Sequence, residues 1–312
     1  MEKLILIVGF CLSAYSVIAN DAIQTLGTFI ASNTKRSWFV LWLFAGGLLA
    51  STLIVGWFLN SGDVTYGRLT QIHLPELVSW WYLLPPIILL IITHFGLPVS
   101  TTFLILSVFS ENVLIEKMIL KSVLGYSIAF IAALGIYFII EQFFAKKLSI
   151  VKGSKRKWEI AQWISTGILW VQWLIQDFAN IYVFLPRNLS AFELIISLCF
   201  MLAVLAFIFF NKGGKIQQVV SQKTDTSSIQ SATIIDIVYA VVLFFFTTLN
   251  SIPMSTTWVF IGILAGREFA LHLKKNKKEI SIAGKRVFVD LYRVNLGLII
   301  SILITYIINY MN

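Results

Sequence analysis

Two carboxylates sit where lipid makes charge costly. Asp21 lies just past the apolar run 4–19, after Asn20, and Asp177 lies inside the run 160–185. Both stand in the same company. The first segment reads Ala19-Asn20-Asp21-Ala22-Ile23-Gln24, the second Ile175-Gln176-Asp177-Phe178-Ala179-Asn180. Each has an amide just before the Asp and another three residues after it. Carboxylates within apolar spans are rare and functional by default. A carboxylate beside neutral amide oxygens suits a hard cation such as Na+, by the preference for oxygen ligands that Ca2+ and Mg2+ also show. A helix broken at such a point also frees backbone carbonyls for the ion. The candidate cation ligands are therefore Asn20, Asp21, Gln24, Gln176, Asp177 and Asn180, with Na+ expected at Asp21 and Asp177. A lone Asp could instead cap a helix break, but recurrence at matched positions argues against that.

A second pair of motifs carries the complementary chemistry. Gly96-Leu97-Pro98-Val99-Ser100-Thr101-Thr102 matches Ser251-Ile252-Pro253-Met254-Ser255-Thr256-Thr257. Proline starts helices well. The residues after it expose unpaired N–H groups at an electropositive helix end, which attracts anions. The hydroxyls of Ser100, Thr101, Thr102, Ser255, Thr256 and Thr257 add donors, so these six are the candidate anion ligands. One Pro-x-Ser-Thr-Thr alone would read as ordinary N-capping. Here Ser100 follows Asp21 by 79 residues and Ser255 follows Asp177 by 78, so two different motifs recur at nearly one separation. An anion beside two carboxylates is repelled unless a cation neutralises them. Symport of anion and cation follows as the natural mechanism.

The elements that position these groups must lie in a bilayer. The chain has 312 residues, 58% of them apolar and 12% charged, against about 25% charged in soluble domains. A span needs about 20 apolar residues. Runs 4–19, 38–59, 120–140, 189–210 and 287–310 qualify, and 77–109, 160–185 and 234–264 are longer or interrupted. The fold expected is an all-α polytopic membrane protein of two inverted-topology repeats, each with a broken helix and a helical hairpin. The first repeat covers 1–145, a basic linker 146–158, and the second repeat 159–312. Each repeat crosses an odd number of times, so the two must be inverted, an arrangement common in secondary transporters. Residues 1–19 look like a secretory signal, with Lys3 before an apolar run. The polar break after them has a partner later in the chain, so they read as the first helix.

Charge orients the chain. Most of the 24 basic residues collect on one face: Lys35, Arg36, the linker, Lys212, Lys215, Lys223 and the stretch 267–286. The positive-inside rule puts that face in the cytoplasm and both termini outside. The net charge of +9 is therefore topological and does not call for nucleic acid. Cys11 and Cys199 lie in different runs and make no disulfide framework. No His-Glu-x-x-His, Gly-x-Ser-x-Gly or Cys-rich pattern appears. No enzyme activity, catalytic residue or cofactor is expected beyond a coupling ion, Na+ or H+. His94 reads as an interfacial residue or a proton-linked ligand, Glu111 and Glu268 as gating or interfacial residues, Glu193 and Asp236 as helix-start residues, and Trp80, Trp81, Trp170 and Trp173 as belt or packing residues.

The motifs resemble those of the inorganic phosphate transporter (PiT) family of cation-coupled phosphate symporters. That family carries a Gly-Ala-Asn-Asp-Val-Ala-Asn-Ala-type motif in each repeat and a Gly-Leu-Pro-Val-Ser-Thr-Thr motif at each hairpin. Ala19 to Asp21 and Gly96 to Thr102 match closely, and motif order and spacing agree over essentially the whole chain. The resemblance implies inorganic phosphate at the two hairpin tips, Na+ near the two Asp residues, and a homodimer. Sulfate, or another tetrahedral oxyanion, is the alternative substrate within the same resemblance. Gln24 stands where the first motif has its second Asn, and Gln176 where the second motif has its first. Both swaps lengthen an expected cation ligand by one methylene. The short chain, with no large central loop, fits a prokaryotic plasma membrane.

Overall fold

The computed structural model describes residues 1–75, 77–95, 99–140, 155–213, 217, 229–273 and 277–311. Among these the regular elements are all helical. In chain order they are α1 (Glu2–Val17), α2 (Ile23–Ser32), α3 (Trp38–Leu59), α4 (Leu84–His94), α5 (Asn112–Ile139), α6 (Lys155–Tyr182), α7 (Ala191–Phe210), α8 (Ile229–Leu249), α9 (Thr256–His272) and α10 (Lys277–Met311). Six stretches are long and apolar enough to cross a membrane: Glu2–Ser32, α3, α5, α7, α8 and Ile280–Ile308 within α10. The chain is an integral, multi-pass membrane protein. Its outer surface fits that reading, since Leu43, Phe58, Leu59, Phe192, Ile195, Ile299 and Tyr306 are all more than half exposed. The polar side chains are inside instead.

The membrane-embedded breaks differ between the two halves. Val17 and Ile23 are joined by a π-helical turn, Ile18–Ala22, so α1 and α2 form one bent rod. Such turns loosen the regular i→i−4 ladder and favour functional sites. α6 runs unbroken through Asp177 for 28 residues, about 42 Å of helix. It is too polar to count among the six spans because its inner face carries Gln162, Thr166, Gln176, Asp177 and Asn180, all buried.

The two hairpins also differ. In the first, Pro85 and Pro86 open α4, and residues 96–98 of the motif lie outside the described residues. After Thr101 the chain makes a π-helical turn, Thr102–Leu106, and a short 3-10 turn, Ser107–Phe109. In the second, α8 runs 21 residues to Leu249, and residues 250–255 return without helix to start the 17-residue α9. Of the expected basic linker 146–158, only 155–158 are described, and they form the first turn of α6.

Glycine brings the halves of the chain into contact. α9 from the second half lies along α5 from the first, and α6 lies along α8. Gly262 and Gly266, four residues apart, face the α5 backbone. A Cβ on Gly266 would stand 2.2 Å from the Phe130 carbonyl oxygen, and one on Gly262 2.5 Å from that of Tyr126. Small residues at this spacing are how membrane helices approach closely without a hydrophobic driving force.

Candidate ion-binding site

Five short segments converge on one buried point. They are the π-turn with Asn20 and Asp21, the first turn of α2 with Gln24, the stretch 176–180 of α6, and the two hairpin tips at 99–102 and 254–257. None of the twelve residues expected from sequence to bind ions is more than 2% exposed. The structure brings the two motif pairs together, so the expected cation and anion groups occupy one cluster.

Asp21 is densely hydrogen-bonded. Its Oδ2 accepts from the Thr101 hydroxyl at 2.5 Å. Its Oδ1 accepts from Asn20 Nδ2 at 2.7 Å, Gln24 Nε2 at 3.2 Å and the Thr257 hydroxyl at 3.2 Å. Groups from α2 and from both hairpins thus meet on one carboxylate. Asp177 differs. Its Oδ1 accepts from Asn180 Nδ2 at 2.5 Å, while its Oδ2 has no hydrogen-bond partner. The two carboxylates lie near enough for Asp177 to feel the charge of Asp21, and the Thr256 hydroxyl neighbours Asp177.

The amides are aimed by the acids. Only the NH2 end of an amide can donate to a carboxylate, so Asn20, Gln24 and Asn180 turn their nitrogens toward Asp21 or Asp177. Asn180 Nδ2 also reaches Thr101 Oγ1 at 3.1 Å and Thr102 Oγ1 at 3.2 Å. The oxygens then point elsewhere. Asn20 Oδ1, Gln24 Oε1, Asn180 Oδ1, Gln176 Oε1 and Asp177 Oδ2 are all buried and have no hydrogen-bond partner among the described residues. Buried polar atoms are nearly always paired, and leaving one unpaired costs about 1–3 kcal/mol. Four amide oxygens and one carboxylate oxygen are thus left over, and oxygen donors of this kind are the chemistry a hard cation takes. Among the described residues no three His, Cys, Asp or Glu side chains cluster, so the donors are those an alkali ion takes rather than a transition metal.

The six hydroxyl residues divide by role. Ser100 Oγ accepts from the Phe103 N–H at 3.2 Å, and Ser255 Oγ from the Trp258 N–H at 3.3 Å. Both are helix caps. Thr101, Thr102 and Thr257 face the cluster: Thr102 Oγ1 donates to the Met254 carbonyl at 3.1 Å, which ties tip to tip. Val99 of the first tip receives the Asn20 amide at 2.8 Å and the Thr257 hydroxyl at 3.1 Å on its carbonyl oxygen.

Four further residues serve the cluster that motif reading passed over. Tyr239 on α8 donates to the Thr256 carbonyl at 2.9 Å. Asp236, one turn earlier, was expected at a helix start. α8 begins at Ile229, which puts Asp236 two turns inside, fully buried, accepting from Thr28 at 2.7 Å and Thr166 at 2.5 Å. It pins α2, α6 and α8 together. Arg68, from the segment between α3 and α4, is 3% exposed and donates to the Ile175 carbonyl at 2.7 Å. Burial draws its pKa down to about 10, and the charge of Asp177 opposes that fall. Lys121 on α5 is 5% exposed and donates to Asn250 and Ile252. The remaining candidates keep structural parts. Glu193 forms a capping box with Ser190, Glu268 pairs with Arg286 at 2.8 Å, and the Trp170 and Trp173 rings stack 4.8 Å apart.

No family model and no curated protein matches this chain. Among solved structures it is similar to one described as "The sodium-dependent phosphate transporter", with a TM-score of 0.60 and 17% identity over 100% of both chains. The two share a fold along their whole length.

Proposed function

We propose that this protein is a secondary transporter that carries inorganic phosphate through the bilayer by symport with Na+. The observation that carries the proposal is that four amide oxygens and one oxygen of Asp177 are buried without a partner among the described residues, on segments that meet the hydroxyls of two hairpin tips. A proton would need only the carboxylates. The orphaned amide oxygens favour a metal cation as the coupling ion. The similar fold of a sodium-dependent phosphate transporter supports the same choice of ions.

Coupling follows from a count of protons. A hydroxyl has one to give. The Thr101 hydroxyl donates to Asp21, and the Thr257 hydroxyl divides its proton between Asp21 and Val99. To hold an anion, these hydroxyls must turn away from Asp21. A cation on the Asp21 and Asp177 oxygens replaces them as the neutralising partner and lowers the repulsion that an anion would meet. Na+ therefore prepares the anion site, and phosphate follows. By the charge distribution the basic face is cytoplasmic and both termini are outside. A homodimer remains part of the proposal through the resemblance alone.

The test is uptake of radiolabelled phosphate into proteoliposomes under an imposed Na+ gradient, or a proton gradient, with unlabelled sulfate as competitor. The expected result is uptake that needs inward Na+, ignores the proton gradient and resists sulfate. Phosphate uptake driven equally well without Na+ would overturn the coupling, and sulfate uptake in place of phosphate would overturn the substrate.

A further inference from the structure

Residues 250–254 enter the site without secondary structure of their own. Their backbone groups still need partners, and the first half of the chain supplies them. Lys121 Nζ donates to the Asn250 carbonyl at 3.2 Å, to Asn250 Oδ1 at 2.9 Å and to the Ile252 carbonyl at 2.7 Å. Arg68 donates to the same Asn250 carbonyl and to that of Thr247, each at 3.4 Å, while its Nε holds Ile175 on α6. Asn250 Oδ1 also receives the Ile252 N–H at 3.1 Å, and the Ser255 N–H donates to Ser122 Oγ at 2.9 Å. Gly125, one turn after Lys121, leaves the space that Met254 fills.

Two like charges buried around one carbonyl are an expensive way to hold a turn. Among the described residues neither cation makes an ion pair. A neutral donor would cap the carbonyls at lower cost, so the charge itself has a use. The three donors of the Lys121 ammonium are all spent on this segment, and the Arg68 fork bridges it to the residue next to Gln176. Three residues past Ile252 the chain reaches Ser255, Thr256 and Thr257.

We propose that Arg68 and Lys121 are positioning residues: a paired cationic latch that fixes segment 250–254 between α5 and α6 and so holds the Thr256 and Thr257 hydroxyls against the two carboxylates. Neither residue touches the transported ions. The role of the latch in transport rests on the function proposed above, while its effect on the segment can be measured without any transport.

The experiment uses the full-length protein with Cys11→Ala, Cys199→Ala and Met254→Cys. Met254 is 1% exposed, so its replacement thiol should react slowly with a membrane-impermeant maleimide. Adding Lys121→Met or Arg68→Gln should speed labelling by about ten-fold, the effect of losing one hydrogen bond to a charged group. The conservative Lys121→Arg should restore slow labelling. In reconstituted phosphate uptake the same two variants should raise KM for phosphate by about ten-fold with kcat changed far less. Labelling unchanged in both Lys121→Met and Arg68→Gln, with each eluting as the parent does, would overturn the latch. Should a variant fail to fold, labelling of Lys121→Arg against the parent decides in its place: a rate equal to the parent supports a charge-held turn, and a rate about ten-fold above the parent contradicts it. Failure of the unmodified protein to take up phosphate would refute the proposed function and leave the labelling result standing.

Discussion

The two carboxylates are chemically alike and differently dressed. Four donors meet Asp21, two of them hydroxyls from opposite hairpins, whereas Asp177 keeps one oxygen without a partner. Under the proposed function Asp177 is the readier seat for a cation, and Asp21 the point at which cation and anion chemistry exchange. Asp177→Asn should lower Na+-driven uptake by about a hundred-fold, on the order of 2.7 kcal/mol, with insertion intact. Asp21→Asn should do the same and also free Thr101 and Thr257 from their carboxylate. Full uptake by both variants would rule out the cation assignment. The hydroxyls give a sharper contrast. Ser100→Ala and Ser255→Ala remove caps, each costing about 1 kcal/mol of stability, and should leave phosphate affinity near that of the parent. Thr101→Val and Thr257→Val should weaken phosphate binding directly, as titration in detergent would show. The twelve cluster residues were legible because each motif occurs twice, at one separation. Arg68, Lys121 and Asp236 were not, because each is single, and Arg68 lies between apolar runs while Lys121 and Asp236 lie at the edge of one, where a charge ordinarily meets water. Only the fold turns those edges inward.

At the scale of elements, the same sequence signal produced two different backbones. Asn20-Asp21 sits in a π-turn, while Gln176-Asp177 sits in continuous helix. Motif residues fix which side chains face the site, but the local ladder answers to packing against neighbours that are distant in sequence. α6 packs chiefly against α8, and also against α3, α2 and α1. The α5–α9 contact makes a prediction of its own. Gly266→Ala would drive a methyl into the Phe130 carbonyl, and should cost about 1–3 kcal/mol as an overpacked interface, read as a lower melting temperature in detergent. Gly135→Ala on the same α5 meets nothing within 4 Å, and should be neutral or stabilise by up to about 1 kcal/mol through helix propensity. Equal melting temperatures for the two variants would show that the close approach does not hold. Asp236→Leu should destabilise by about 1–3 kcal/mol by stripping two buried hydroxyls of their acceptor, whereas Asp236→Asn, still an acceptor, should cost less.

At the scale of the molecule, the halves of the chain are interleaved. A helix of the second hairpin lies on the last helix of the first half, and the latch on the second tip comes from the first half as well. A site shared this way cannot be filled on one side without the other side registering it. In the proposed symport two ions of opposite sign use one set of protons and oxygens, so each should raise the affinity for the other by the same factor. The most direct test is equilibrium binding of radiolabelled phosphate to purified protein in detergent, titrated at several Na+ concentrations with K+ holding the ionic strength. The phosphate Kd should fall as Na+ rises, and Asp177→Asn should flatten this dependence. Phosphate binding that is tight and indifferent to Na+ in the unmodified protein would contradict the proposed symport.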